Sequence, residues 1–352
     1  MSSFCGYSLI VLQKYQFIFE IPTSFAVFFV PLLEKCNYMS IKPFLKWAGG
    51  KSKLLPALHA HLPRSLQEWD TFTYIEPFVG GGAMLFFMLE QFPNINKVVV
   101  NDVNPRLVNV YAVIQQDVEQ LIVLLSSMQS RYVECSDPTA QQTYFLDVRA
   151  SYNSQTLPKV EDAAHFIFLN KTCFNGLYRE NRKGEFNVPW GKYAHPMLCD
   201  ETNLRGVADA LQKVELRCGD FSLLSAEICP HKPTFIYMDP PYRPLSPTSS
   251  FSAYAKGGFN DVDQERLKSF SDYATAQNAL TMQSNSDGRC AEEPNEYLDK
   301  LYSDYNIHRV YAPRFISAKG TQRGKVSELI ICNYKDKMPS NKLDLFDYEQ
   351  SL

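Results

Sequence analysis

The chain has 352 residues and a formal net charge of −3, enough length for one large domain or two of ordinary size and a composition that excludes disorder. A protein basic all over is also excluded, so any affinity for nucleic acid has to come from local positive patches. Nine scattered cysteines, without a C-x-x-C pair or a Cys/His cluster at ligand spacing, argue against a disulfide framework or a metal site and for a reducing cytoplasm.

The first 38 residues are rich in Phe, Ile and Val, but Glu20, Pro22 and Pro31 interrupt the apolar run. A membrane span needs roughly 20 mostly apolar residues, and a secretory signal needs a basic start and a small-residue cleavage site. The segment fits neither, so residues 1–38 are expected to be an apolar extension or start-site artefact before a functional protein beginning at Met39, with no membrane contact. From Ile41 to Leu66 every ionised side chain is cationic: Lys42, Lys46, Lys51, Lys53 and Arg64. A second such patch, from Arg309 to Ser327, adds Arg314, Lys319, Arg323 and Lys325.

From Thr73 onward, short apolar runs alternate with amphipathic patterns, as in a parallel sheet with helices on its faces. Strands are predicted at Thr73–Glu76, Lys97–Asn101, Val214–Cys218, Thr234–Met238, Ala279–Ser284, Ile307–Tyr311 and Glu328–Asn333. After Pro105, residues Leu107, Val110, Tyr111, Ile114, Val118, Leu121 and Leu125 fall on one helical stripe, and Asp263–Ala276 repeats the pattern. Between Asp102 and Val214 the alternation lapses, and the sequence turns helical, then turn-rich and aromatic. The expected fold is a doubly wound, mostly parallel α/β sheet with an inserted, mainly helical domain that carries a hairpin. The expected boundaries are 39–105 and 214–336 for the two parts of the sheet domain, 106–213 for the insert and 337–352 for a polar tail.

Four segments carry chemistry. In Phe44-Leu45-Lys46-Trp47-Ala48-Gly49-Gly50-Lys51, paired glycines let the backbone approach a ligand and Lys51 can meet a carboxylate. Glu76-Pro77-Phe78-Val79-Gly80-Gly81-Gly82 sits where a buried strand hands over to a helix, with F-x-G-x-G spacing in place of the full dinucleotide fingerprint. Asp102 ends the next strand, where an acid can take the two hydroxyls of a ribose. Asp239-Pro240-Pro241-Tyr242 follows another apolar strand. An amino group conjugated to an aromatic ring is a poor nucleophile because its lone pair is delocalised. Acceptors on its two hydrogens, the Asp239 carboxylate and the Pro240 carbonyl, would draw the nitrogen toward a tetrahedral geometry, while Tyr242 offers a ring to stack on an extruded base. The fourth segment, Asn170 to Arg179 and Gly184 to Tyr193, interleaves basic and aromatic residues around turns at Gly176 and Gly184, which suits a hairpin laid against DNA.

In this order, F-L-K-W-A-G-G-K, E-P-F-V-G-G-G, N-D-V-N (Asn101 to Asn104), F-N-G-L (Phe174 to Leu177), G-E-F-N-V-P (Gly184 to Pro189), D-P-P-Y, S-N-S-D (Ser284 to Asp287) and R-G-K-V-S-E-L (Arg323 to Leu329) resemble the Dam-type, alpha-group N6-adenine DNA methyltransferases of the D12 class, including relatives specific for GATC. The likeness runs from about Ile41 to Tyr334. It implies methyl transfer from S-adenosylmethionine to adenine N6 in double-stranded DNA by base flipping, leaving S-adenosylhomocysteine. It implies Asp239, Pro240 and Tyr242 as catalytic residues. For the cofactor it implies Trp47, Ala48, Gly49, Lys51, Phe78, Gly80, Gly82 and Asp102, with Asp220 and Phe221 flanking the cofactor's adenine and Asp239 near its methionine end. For DNA it implies Lys46 and Arg179 on guanines, Leu177 and Pro189 on thymine methyls, Phe174 and Asn175 in the stack, and Lys192 on a phosphate. A monomer acting in the cytoplasm, paired in function with a restriction endonuclease or working alone, completes the expectation. Phe174 stands where some members have Tyr, and Lys319 where Asn is common. The competing readings are an N4-cytosine or RNA-base methyltransferase and a catalytically silent DNA-binding module.

Overall fold

The computed structural model describes residues 7–12, 17–22, 41–243, 259–290, 294–312 and 326–335. The chain divides into two units, Met1–Ser40 and Ile41–Leu352. In the first, β1 (Tyr7–Leu12) and β2 (Phe17–Pro22) pair antiparallel. Arg314, Lys319, Arg323, Lys325 and the polar tail at 337–352 lie outside the described residues.

The second unit is built on seven strands: β3 (Phe72–Glu76), β4 (Ile95–Asp102), β5 (Val214–Cys218), β6 (Thr234–Met238), β7 (Leu280–Ser286), β8 (Asn306–Ala312) and β9 (Val326–Cys332). Their order across the sheet is β5-β4-β3-β6-β7-β9-β8. All neighbours pair parallel until β9, which runs antiparallel to both β7 and β8. Alternate residues of the strands feed separate cores, as a period of two requires. Phe72, Tyr74, Val98, Val100, Phe235 and Tyr237 face the larger core, shared with α1 (Leu55–His59), α2 (Ser65–Glu68), α3 (Ala83–Gln91) and the helices of the long crossover. Ile75, Val99, Ile236 and Met238 face the other side, under the short helix Phe221–Glu227 and α8 (Asp261–Ala276). Leu329 and Ile331 pack there on Leu298 of α9 (Tyr297–Leu301).

The crossover from β4 to β5 carries α4 (Pro105–Val133), α5 (Pro138–Asn153), α6 (Lys159–Thr172) and α7 (Glu201–Leu211). Local sequence sets their starts. Asn104 caps α4 and Asp137 caps α5, each followed by a proline whose fixed φ suits the first turn. The stripe read from the sequence is buried at Leu107, Val110, Tyr111, Ile114, Leu121 and Leu125, with a break from helical geometry at Asp117. The helix α4, which begins at the expected 105/106 boundary, packs on β4 and β5 as well as on α6 and α7.

Candidate active site

Between β3 and β6 the winding direction reverses: the chain steps outward from β3 to β4 and β5, then returns to β6 on β3's other side. At such a switch point the connections leave in opposite directions and open a crevice at the strands' carboxyl ends. Glu76-Pro77-Phe78 leaves β3 on one lip, and Asp239-Pro240-Pro241-Tyr242 leaves β6 on the other.

The β3 lip is tied down by polar side chains at the end of β4. Asn101 Nδ2 donates to Pro77 O at 3.0 Å and to Gly219 O at 2.9 Å. The Asp102 carboxylate accepts from Gly80 N at 3.1 Å and Asn104 N at 2.9 Å. Burial pushes the Asp102 carboxyl up to about 6, against the pull of those backbone donors. Gly80 and Gly82 adopt φ of +48° and +76°, and a Cβ at Gly80 or Gly81 would stand 2.9 Å from the Trp47 side chain. These glycines give the turn its close fit against Trp47. Phe78 meets Phe221 at 5.5 Å between ring centres, and Phe259 closes on both. Asp220, exposed, accepts from Ser222 N and pairs with Arg266 at 2.7 Å.

The β6 lip centres on Asp239. Lys51, 5% exposed, places its Nζ 3.0 Å from Asp239 Oδ1, an ion pair short of hydrogen-bond geometry, while donating to Gly49 O at 2.7 Å and lying 4.5 Å over the Tyr242 ring. Burial raises the Asp239 carboxyl to about 6, Lys51 pulls it down, and Glu328 pushes it up. Tyr242 donates its hydroxyl to Glu328 Oε2 at 2.6 Å. Glu76, also buried, accepts from Tyr74 at 2.7 Å; desolvation raises its carboxyl well above the usual range, and the nearby Asp239 adds to the rise.

The residues expected at DNA gather on one turn of the insert and the loop beside it. Phe174 is 51% exposed, and Asn175 follows it at φ +56°. Phe174 N donates to Pro189 O and Gly191 N to Thr172 O, both at 2.8 Å, and antiparallel bridges join Cys173 to Trp190 and Glu180 to Phe186. The expected hairpin is thus a pair of short bridged segments, turned at Asn181–Gly184. Arg179 is exposed and donates from Nε to Asn187 Oδ1 at 2.7 Å; Lys192 is exposed at φ +59°; Leu177 is half-buried. Lys46 lies 4.5 Å over the Tyr193 ring, and its charge adds to burial in lowering Lys171.

Ion pairing sorts the cations. Lys51 pairs with Asp239, Arg64 with Glu68, and Arg309 with Asp287 and Asp299, so the two acid-free stretches are less basic in space than in sequence. Among the described residues, no carboxylate lies within ion-pair distance of Lys46, Lys171, Arg179, Arg182, Lys183 or Lys192. Exposed cations without a carboxylate partner, Arg179, Arg182, Lys183 and Lys192 among them, leave their charge available to an anion.

Residues 47–316 match the model of a family described as D12 class N6 adenine-specific DNA methyltransferase. The chain belongs to this family. It is 43% identical over 299 residues to a type II methyltransferase of Methanocaldococcus jannaschii, covering 84% of this chain and 100% of that one. A type II methyltransferase of Lactococcus lactis subsp. cremoris is 37% identical, with 86% and 99% covered. A DNA adenine methylase of Vibrio cholerae is 31% identical, with 82% and 95% covered. The family match takes in both lips of the crevice and the Phe174–Gly176 turn, and leaves Lys46 and Glu328 outside it. Among the described residues, no three His, Cys, Asp or Glu side chains form a metal-binding group, and no helix is long and apolar enough to cross a membrane.

Three residues that contact the candidate site had no role from sequence. Glu328 partners Tyr242, Tyr178 stacks on Trp47 with ring centres 5.8 Å apart, and Asn170 bonds the backbone of Lys46. A signal existed for the first: an acid inside V-S-E-L-I-I-C, an otherwise apolar strand, has to find a partner.

Proposed function

We propose that this D12-class enzyme methylates N6 of an adenine rotated out of duplex DNA, within GATC, using S-adenosylmethionine as donor. The observation that carries the reading is the position of Asp239-Pro240-Pro241-Tyr242 at the switch point, with the Asp239 carboxylate held against Lys51.

The residues fit the donor. The Gly80–Gly82 turn, which has no side chains of its own and lies close on Trp47, leaves its backbone bare toward a ligand, Asp102 presents a fixed carboxylate at a ribose's place, and Phe78 with Phe221 offers an aromatic wall. Asp220, bonded to Ser222 and Arg266, shapes the turn beside that wall. Trp47, Ala48 and Gly49 form the facing loop, and Lys51, whose ammonium donates to Gly49 O and faces Asp239, keeps further donor capacity to hold a carboxylate. When bound, the donor supplies an electrophilic methyl carbon on a positively charged sulfur.

The protein's share of the chemistry is electrostatic and orientational. Lys51 favours the ionised form of Asp239 against burial, so the carboxylate is available to accept one hydrogen of the adenine amine while Pro240 O accepts the other. Tyr242, its hydroxyl fixed on Glu328, holds its ring for the extruded base. On the insert, Phe174 and Asn175 take the space the base vacates. Lys46 and Arg179 read guanines, Leu177 and Pro189 meet thymine methyls, and Lys192 neutralises a phosphate. The described cysteines are free thiols, in keeping with a reducing cytoplasm where the chain acts as a monomer, alone or beside a restriction endonuclease.

Single-molecule sequencing of DNA from cells expressing the chain tests the whole reading, since it reports base, atom and sequence context together. N6-methyladenine confined to GATC is expected; unmodified adenines, with the protein folded and the donor supplied, would refute the proposal.

A further inference from the structure

Asn170, near the C-terminal end of α6, is 1% exposed and spends its carboxamide on two stretches of backbone outside its helix. Its Oδ1 accepts from Lys46 N at 2.9 Å, and its Nδ2 donates to Lys46 O at 2.7 Å and to Gly176 O at 3.0 Å. None of the three bonds goes to its own helix, so local capping does not account for them. A side chain that grips both the N–H and the C=O of one residue fixes that residue's backbone, and here the same amide also holds the recognition turn.

The seam is tight on both sides. Gly176 adopts φ +62°, and a Cβ there would collide with the Lys46 side chain. The next residue of the loop, Trp47, stacks on Tyr178 of the insert and on Phe166 of α6, while the Gly80–Gly81 turn presses on it from the sheet. One buried amide therefore joins the loop lining the crevice to the turn that carries Phe174 and Asn175.

We infer that Asn170 is a positioning residue that locks the Lys46–Trp47 loop and the Phe174–Gly176 turn into one piece, so that filling the crevice and engaging the duplex favour each other. The inference rests on the function proposed above. A loop ordered by one ligand need not be ordered again by the second, and linkage makes the gain reciprocal.

The test measures binding of S-adenosylhomocysteine to the full chain with and without saturating GATC duplex, and of duplex with and without S-adenosylhomocysteine. In the wild-type chain each ligand should tighten the other by a factor in the range of about 5 to 150. In Asn170→Ala that factor should fall to within about twofold of unity, while S-adenosylhomocysteine alone binds within about threefold of wild type and KM for DNA changes more than kcat. Thermal melting verifies folding. Should Asn170→Ala fail to fold, Gly176→Ala, which forces the turn off Lys46 and leaves the amide in place, should show the same loss. A folded variant of either kind with its mutual enhancement intact overturns the inference, as does an active wild-type chain that shows no enhancement. A wild-type chain inactive on every adenine counts instead against the functional reading, and removes the ground for this one with it.

Discussion

At the carboxyl ends of β3 and β6, the groups facing the crevice are buried or half-buried and paired with one another: Lys51 with Asp239, Asp102 with Gly80, Tyr242 with Glu328, Tyr74 with Glu76. On the insert, Phe174, Asn175, Arg179, Pro189 and Lys192 are exposed, and the cations among them lack a carboxylate partner within the described residues. Their backbone is held by two bridges and a few turns, with Asn175 and Lys192 in the left-handed region that non-glycine residues rarely adopt. The first region is organised before any ligand arrives, as electrostatic catalysis demands, because donors and acceptors that had to reorganise during the reaction would give back what they contribute. The second leaves its cations in water, where a polyanion can take them with release of counterions.

The comparison breaks most readily at Asp239. Asp239→Ala is expected to cut methyl transfer by about 10²- to 10³-fold or more, as for loss of a group that acts on the reacting atoms, while duplex affinity stays near wild type. Initial rates and a gel-shift titration on the same preparation check it, and parallel losses in both would erase the division of labour. Arg179→Ala should act on the other region: discrimination against a substituted guanine falls by about 1 to 3 kcal/mol, with the rate on a cognate duplex at saturation little changed. Rates on GATC and singly substituted duplexes read this directly.

The smallest expected effect is on pH dependence. Asp102 and Asp239 have carboxyls raised to about 6 from an ordinary 3.8. Between those values the folded chain holds protons that the unfolded chain has lost, so their contribution to stability falls as pH rises through the window. Activity is expected to run the other way, because in the proposed mechanism the ionised Asp239 accepts a hydrogen bond from the amine. kcat/KM for DNA should climb up to about tenfold per pH unit below 6 and level off above it. Melting curves and initial rates across this range check both signs; a rate flat from about pH 5 to 7 would show that Lys51 already keeps Asp239 fully ionised.

Much of the sheet was legible because buried parallel strands read as short apolar runs: Val214–Cys218 and Thr234–Met238 begin and end where the sequence places them. The antiparallel direction of β9 was not, since apolar runs carry no sense of direction. The motif residues on both lips could be named from sequence because glycines, prolines and acids at strand ends mark turns with chemistry in them. What sequence could not supply was contact across long separations. Asn170 and Lys46 are 124 positions apart, and Tyr242 and Glu328 are 86 apart. Nor could charge counting tell that Lys51 and Arg309 are consumed in ion pairs while Arg179 is not.

The placement of the three tryptophans gives each region its own optical reporter. Trp47 is wedged between the Gly80–Gly81 turn and Tyr178, and Trp190, bridged to Cys173, donates its indole hydrogen to Tyr132. Trp69 packs against Phe72, away from both. With Trp69 replaced by Phe, ultraviolet emission would come from two indoles, one at the mouth of the crevice and one beside the Phe174–Gly176 turn, and removing either would let events at the other be watched without a dye.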